Sequence, residues 1–209
     1  MILFELVGQT ESHPAYEALE VENGNRQYDF IRSIVSASIA VQRPMLSSVV
    51  IKALNFHAIT CLHTNAGEYR PCPVSVGNHT PPEHYRVGAL MDDMINMVNV
   101  HWHQMDSVVL ATYVLWRLNW IHPFINGNGR TARAASYFVL CMKSGGWLRG
   151  NTILPELIRR ERAAYVAALQ EADAEYAKNN QNHLEPLHML LSKLLKEQFD
   201  GDPEQPAPE

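Results

Sequence analysis

Cysteine is scarce in this chain. Cys61, Cys72 and Cys141 are the three in 209 residues, and no two of them form a Cys-x-x-Cys pair. An odd number at such spacing does not make a disulfide framework; it points to reduced thiols and hence to a cytoplasmic protein. Positive charge is not in surplus either. Seventeen Lys and Arg stand against 22 Asp and Glu, giving a net charge of −5, and the pI is about 6.0. A binder of the nucleic-acid phosphate backbone needs a basic patch or stripe, so no nucleic-acid partner is expected. Long apolar runs are missing as well. The longest, Val108–Leu118, is broken by Thr112 and Arg117 and is too short to cross a bilayer, so no membrane partner is expected. Met1–Leu6 has no basic region and carries Glu5, which argues against a secretory leader. Export as an effector through a dedicated bacterial apparatus, which needs no such leader, stays open. Internal repeats and linkers are absent, and the length suits one domain with a substantial core.

What is present reads as mostly α-helix. The first 25 residues are acidic and end in a turn signal at Asn23-Gly24-Asn25. Tyr28–Val41 then reads as a helix stopped before Pro44. Ser47 or Ser48 suits the N-cap of a following helix that runs to about His63. Gly67–Pro82 is rich in Gly and Pro, with a short β-type run at Val74–Val76, which predicts a small β-hairpin. Apolar residues at Val87, Leu90, Met91, Met94, Ile95, Met97 and Val98 repeat with a helical period over Arg86–Val100. Ser107–Trp120 reads as a buried helix, Thr131–Met142 as another, and further helices fall near Glu156–Ala177 and Leu184–Phe199. Asp200–Glu209, with three prolines and four acids, is expected to be a disordered tail. The chain thus divides into an N-terminal helical extension at 1–44, a candidate regulatory segment, a main domain at 45–199 and the acidic tail at 200–209.

The densest chemistry lies in twelve residues, His122-Pro123-Phe124-Ile125-Asn126-Gly127-Asn128-Gly129-Arg130-Thr131-Ala132-Arg133. A helix starting at Asn128, a good N-cap type, would leave its first-turn amides unpaired. Glycines on both sides let the backbone approach a ligand closely. Arg130 and Arg133 stand one turn apart beside this anion cradle. His122, just upstream, can exchange a proton near neutral pH. The spacing is not that of a P-loop, which needs Gly-x-x-x-x-Gly-Lys-Ser/Thr after a strand. Taken together these residues make a phosphate site with a base beside it.

The stretch resembles the signature of the Fic family, His-x-Phe-x-Asp/Glu-Gly-Asn-Gly-Arg-x-x-Arg, at every fixed position but one: Asn126 stands where the family usually has an acid. Ala66-Gly67-Glu68-Tyr69-Arg70 and then Val74-Ser75-Val76-Gly77-Asn78-His79-Thr80-Pro81-Pro82 resemble the segment that forms the family's target-docking hairpin, the flap. The resemblance covers roughly residues 45–175 and implies a single mostly helical Fic domain with that small hairpin near the active-site loop. It further implies transfer of AMP from ATP to a Ser, Thr or Tyr hydroxyl of a protein target, with Mg²⁺ as cofactor. His122 would be the general base and Phe124 the loop anchor. Gly127, Asn128 and Gly129 would hold phosphates, and Arg130 and Arg133 would neutralise their charge. Val74–Thr80 would pair with the target as an added strand.

Asn126 offers a metal a neutral carbonyl oxygen in place of a carboxylate, so a weakened Mg²⁺ site and a slower enzyme are expected. Two alternatives follow from it: a nucleotide- or peptide-binding module with little transfer, and transfer from a different nucleotide donor. Regulation in the family often rests on a glutamate that pairs with the second motif arginine. Val21-Glu22-Asn23-Gly24 keeps the Glu-Asn end of that motif, with Ala18 in place of its hydroxyl residue. Glu22 is therefore a candidate inhibitory partner of Arg133; failing it, an antitoxin-like protein would supply the brake.

Overall fold

A computed structural model describes residues 2–41, 46–77, 79–181 and 183–201. The helices are α1 (Leu3–Leu6), α2 (Pro14–Ala40), α3 (Ser48–Ile59), α4 (Val87–Val100), α5 (Ser107–Ile121), α6 (Asn128–Lys143), α7 (Leu154–Arg160), α8 (Arg162–Asn179) and α9 (Glu185–Asp200). A 3-10 turn, His84–Arg86, leads into α4. The expected mostly helical fold is what forms, and none of the described helices is long and apolar enough to cross a membrane.

The core is built on α5 and α6. Both are apolar on nearly every face, as a helix enclosed by neighbours must be, and Leu110–Trp116 and Thr131–Met142 are almost entirely buried. Ala134 and Ala135 keep α6 slim, and the Ser136 hydroxyl donates to the Ala111 carbonyl across the pair at 2.9 Å. Helices α2 and α3 pack on one side, with α7, α8 and α9 on the other. Buried polar groups fix how these layers meet. Trp116 donates from Nε1 to Asp173 on α8 at 2.9 Å. Gln198 on α9 accepts from the Leu154 amide at 2.6 Å and donates to the Arg149 carbonyl at 2.8 Å. Caps follow the sequence where a short polar side chain precedes a helix: Ser47 accepts from the Val50 amide, and Asp106 accepts from the Val108 and Val109 amides.

Several expectations are corrected. Asn23-Gly24-Asn25 is not a turn, because α2 runs straight through it. Asn23 is fully buried and donates to the Thr60 carbonyl at 2.9 Å, and Gln27, one turn on, donates to the Leu54 carbonyl at 2.7 Å. These bonds to the α3 layer outweigh a local turn preference. The helix from Ser48 stops at Ile59, four residues short of His63, and Cys61 adopts a positive φ of 62°. The segment near Glu156–Ala177 is two helices broken at Glu161. No β-strand forms among the described residues. The expected hairpin is reduced to one antiparallel bridge, Val76 with His79, since the prolines at 71, 73, 81 and 82 remove the donors a longer ladder needs. Asp200 closes α9 and so does not belong to a tail. Pro44, Asn78 and residues 202–209 lie outside the described residues.

Candidate active site

His122 ends α5 in the left-handed conformation, φ 50° and ψ 60°. That turn reverses the chain and starts the loop that leads to α6. Phe124 is fully buried, as expected of a loop anchor, and its ring lies 5.7 Å from that of Tyr69. Asn128 is not the N-cap. Gly127 takes that position with φ 75°, and a Cβ there would meet Ile59 Cγ2 at 2.5 Å. The buried Asn128 side chain instead clasps Phe124, accepting from its amide at 2.9 Å and donating to its carbonyl at 2.8 Å. Asn55 on α3 holds the loop from the other side, donating to the Asn126 carbonyl at 2.9 Å and to Thr131 Oγ1 at 3.2 Å. The first-turn amides of α6 start from this rigid loop without intrahelical acceptors.

Arg70 is buried, and its guanidinium makes no ion pair among the described residues. Nε donates to the His122 carbonyl at 2.8 Å, Nη1 to the Cys72 carbonyl at 3.1 Å and Nη2 to the Pro82 carbonyl. The Arg70 amide also donates to the Pro123 carbonyl at 2.8 Å. One side chain therefore joins both ends of the flap segment to the loop of His122.

A cavity of about 830 Å³ opens beside this loop. His122, Gly129 and Arg133 form its inner wall; Val76, Gly77, His79 and Thr80 of the flap form a second. Arg159, Arg162, Tyr165 and Asp173 line the third, on α7 and α8. Of the expected site residues, Val74, Ser75, Phe124, Asn126, Gly127, Asn128, Arg130 and Glu22 do not line it. Burial pushes the His122 imidazole down to about 4; the Asn119 carbonyl pulls it up, and the His79 and Arg70 charges push it further down. The ring is therefore neutral at pH 7 and able to accept a proton. His79 holds the flap against the core. Its Nε2 lies 2.9 Å from the Trp120 carbonyl, which can only accept, so Nε2 carries the proton. Its Nδ1 faces Asp173 at 3.5 Å. Burial raises the Asp173 carboxyl, opposed by the Trp116 bond and His79.

The two motif arginines part company. Arg133 faces the cavity and has no ion pair among the described residues. Arg130 turns toward α2 and α3: Nη1 donates to the Ala58 carbonyl at 2.9 Å and pairs with Glu20 at 3.1 Å, while Nη2 donates to Asn126 Oδ1 at 3.0 Å. Glu22 is exposed and has no ion pair with Arg133 among the described residues; Glu20 is the α2 carboxylate that reaches a motif arginine. Asn126 does not fit a divalent cation. Its side-chain oxygen is taken by a guanidinium and its main-chain oxygen by Asn55, and no three His, Cys, Asp or Glu side chains converge among the described residues.

Residues 46–140 match the Fic/DOC family. The chain contains a Fic/DOC domain. It is 34% identical to the protein adenylyltransferase Fic of Drosophila persimilis over 149 residues, 69% of this chain and 28% of that protein. Fic-1 of C. elegans superposes with a TM-score of 0.72 at 22% identity, covering 91% of this chain and 52% of that one. A Fic-domain signaling protein of Bacteroides thetaiotaomicron superposes with a TM-score of 0.64 at 19% identity, covering 97% and 81%. The chain thus spans under a third of the curated relative and about half of the C. elegans chain.

Arg70, Asn55, Asn119, Tyr165 and Asp173 line the cavity or brace its loop and are not singled out by the sequence. Tyr165 and Asp173 fall eight apart on one face of α8, a spacing that any packed helix shows. Arg70 stood inside the flap pattern, but nothing in that pattern marks its guanidinium as buried.

Proposed function

We propose that this Fic domain transfers AMP from ATP to a hydroxyl side chain of a protein target, with His122 as general base. The observation that carries the reading is the single cavity that brings together a neutral imidazole, the N-terminus of α6, the Arg133 guanidinium, without an ion pair among the described residues, and the flap. Each has a place in the chemistry. A hydroxyl is a weak nucleophile until a base removes its proton, and His122 can contribute on the order of 10²–10⁴-fold in rate by doing so. The hydroxyl oxygen bonds to the α-phosphorus, the bond from that phosphorus to the bridging oxygen breaks, and pyrophosphate leaves. Charge on the leaving group is met by Arg133 and the first amides of α6, fixed donors that need no rearrangement during the reaction. The name borne by the Drosophila relative supports a protein target and an adenylyl donor. An inhibitor from another chain would act at Arg133.

A second reading keeps the transfer and changes the donor nucleotide. It is favoured by Arg159 and Arg162, which add positive charge to the α7–α8 wall. Intact-mass measurement of candidate targets, incubated with the chain and each of several nucleoside triphosphates, tests both readings beside a His122→Ala control. Addition of AMP by the parent chain only is the expected result. Equal labelling by both proteins removes His122 from the mechanism. Saturable nucleotide binding with no mass shift reduces the domain to a binding module.

A further inference from the structure

Asn126 sits between two charged partners that belong to different parts of the chain. Its Oδ1 accepts from Arg130 at 3.0 Å, and its Nδ2 donates to Glu11 Oε1 at 3.0 Å. Glu11 lies in the segment between α1 and α2, and α1 is itself anchored: the Leu3 and Phe4 amides donate to the Cys61 and Leu62 carbonyls at 2.8 and 3.2 Å. Glu11 also faces His63 Nε2 at 3.5 Å, and that nitrogen is 2.8 Å from the Tyr16 hydroxyl. On the far side of Arg130, Glu20 of α2 completes the row at 3.1 Å.

We propose that Asn126 is the joint of a clasp, Glu11–Asn126–Arg130–Glu20, that locks the signature loop to the N-terminal segment, with Glu11 as a positioning residue for that loop. Only an amide fits the joint. It donates on one side and accepts on the other, whereas a carboxylate cannot donate to Glu11. The charge count points the same way. Two carboxylates, Glu11 and Glu20, flank one guanidinium, and an acid at 126 would make three. Asparagine at 126 is thus matched to Glu11, and the change from the usual acid moves this position from metal binding to holding the loop.

The test uses the full chain and needs no nucleotide, so absence of transfer activity leaves it intact. Glu11 is more than half exposed, and its replacement leaves the core untouched. Hydrogen exchange of the amides at 124–129 is expected to speed up about 3–10-fold in Glu11→Ala, as loss of one solvent-exposed hydrogen bond predicts. Glu11→Gln, which still accepts from Asn126, keeps the parent rate, as does Glu22→Ala. Thermal unfolding then reads the match. Asn126→Asp is expected to lower Tm by about 2–4 °C in the parent chain and to leave Tm unchanged or raise it in a Glu11→Gln background, where the glutamine amide donates to the new carboxylate. Unchanged exchange in Glu11→Ala, or the same Tm shift for Asn126→Asp in both backgrounds, overturns the clasp.

Discussion

Arg70 donates from Nε to the carbonyl oxygen of His122 at 2.8 Å, so the backbone of the proposed base hangs on a buried guanidinium 52 residues upstream. The same group bonds the carbonyls of Cys72 and Pro82, where the flap segment leaves and rejoins the core. No carboxylate forms an ion pair with it among the described residues; carbonyl oxygens take its donors, and burial holds the Arg70 pKa below its usual value, with the Glu83 charge opposing. Base and flap are thereby one mechanical unit.

Replacing Arg70 should cost far more than replacing a surface arginine. Arg70→Ala leaves three carbonyls without their donor and opens a gap beneath the loop. A loss of about 3 kcal/mol or more is expected, with Tm falling on the order of 10 °C. Arg70→Lys keeps the charge but cannot reach three divergent carbonyls, so it should recover only part of the loss. Thermal unfolding of the two variants checks this, and a Tm within 2 °C of the parent for Arg70→Ala would contradict it.

The His122 environment fixes a pH dependence with a definite sign. Its folded pKa, pushed down to about 4 by burial, lies below the ordinary 6.5. The unfolded chain therefore binds the proton first as pH falls. Stability from this group is fully present above about 6.5 and is lost between there and about 4, about 3 kcal/mol in all. The same depression keeps the ring neutral, so the rate of transfer should stay level from pH 7 down to about 5. A rate profile falling by half near pH 6.5, which vanishes in no other histidine variant, would show that the ring is solvated like a free imidazole.

Much of this arrangement was readable from residue order. Helical periods placed α4, α5 and α6 to within a residue or two, because a buried helix writes its burial into the spacing of its apolar residues. The signature loop was likewise legible, since its chemistry is local. What residue order hid was where the polar side chains bond. Asn23 looks like a turn former until Thr60 accepts its amide 37 residues away. Asn128 looks like a cap until its side chain folds back on Phe124. Arg130 and Arg133 look like equal partners one turn apart until Glu20 and Ala58 claim the first. For Asn23 and Arg130 the deciding partners lie in the α2–α3 layer; for Asn128 it is the loop backbone four residues upstream.

Gly127 gives a sharp test of the loop geometry. Its φ of 75° suits glycine, and a Cβ would overlap Ile59 Cγ2 at 2.5 Å and approach Asn55 Nδ2 at 3.2 Å. Gly127→Ala therefore adds backbone strain of about 1 kcal/mol to overpacking of about 1–3 kcal/mol. Denaturant unfolding should show a loss of about 2–4 kcal/mol. Gly145→Ala is the control: it has the same φ of 75° with nothing within 4 Å of the new Cβ, and should lose only the strain.

Arg130 and Arg133 should fail in different assays. Arg133 reaches the cavity and has no ion pair among the described residues, so its guanidinium can meet phosphate oxygens. Loss of a charged hydrogen bond to a ligand is worth about 1.5–3 kcal/mol, and Arg133→Ala should weaken binding of a non-hydrolysable ATP analogue about 10–100-fold with little change in Tm. Arg130 spends its donors on Ala58, Asn126 and Glu20. Arg130→Ala removes the tie between α6 and the α2–α3 layer and leaves Glu20 without its cation. Its main effect should be a Tm lowered by about 2–6 °C, with analogue affinity changed by less than about 5-fold. Calorimetric titration and thermal unfolding of both variants decide the matter: equal losses of affinity would mean that Arg130 swings into the cavity when the nucleotide binds.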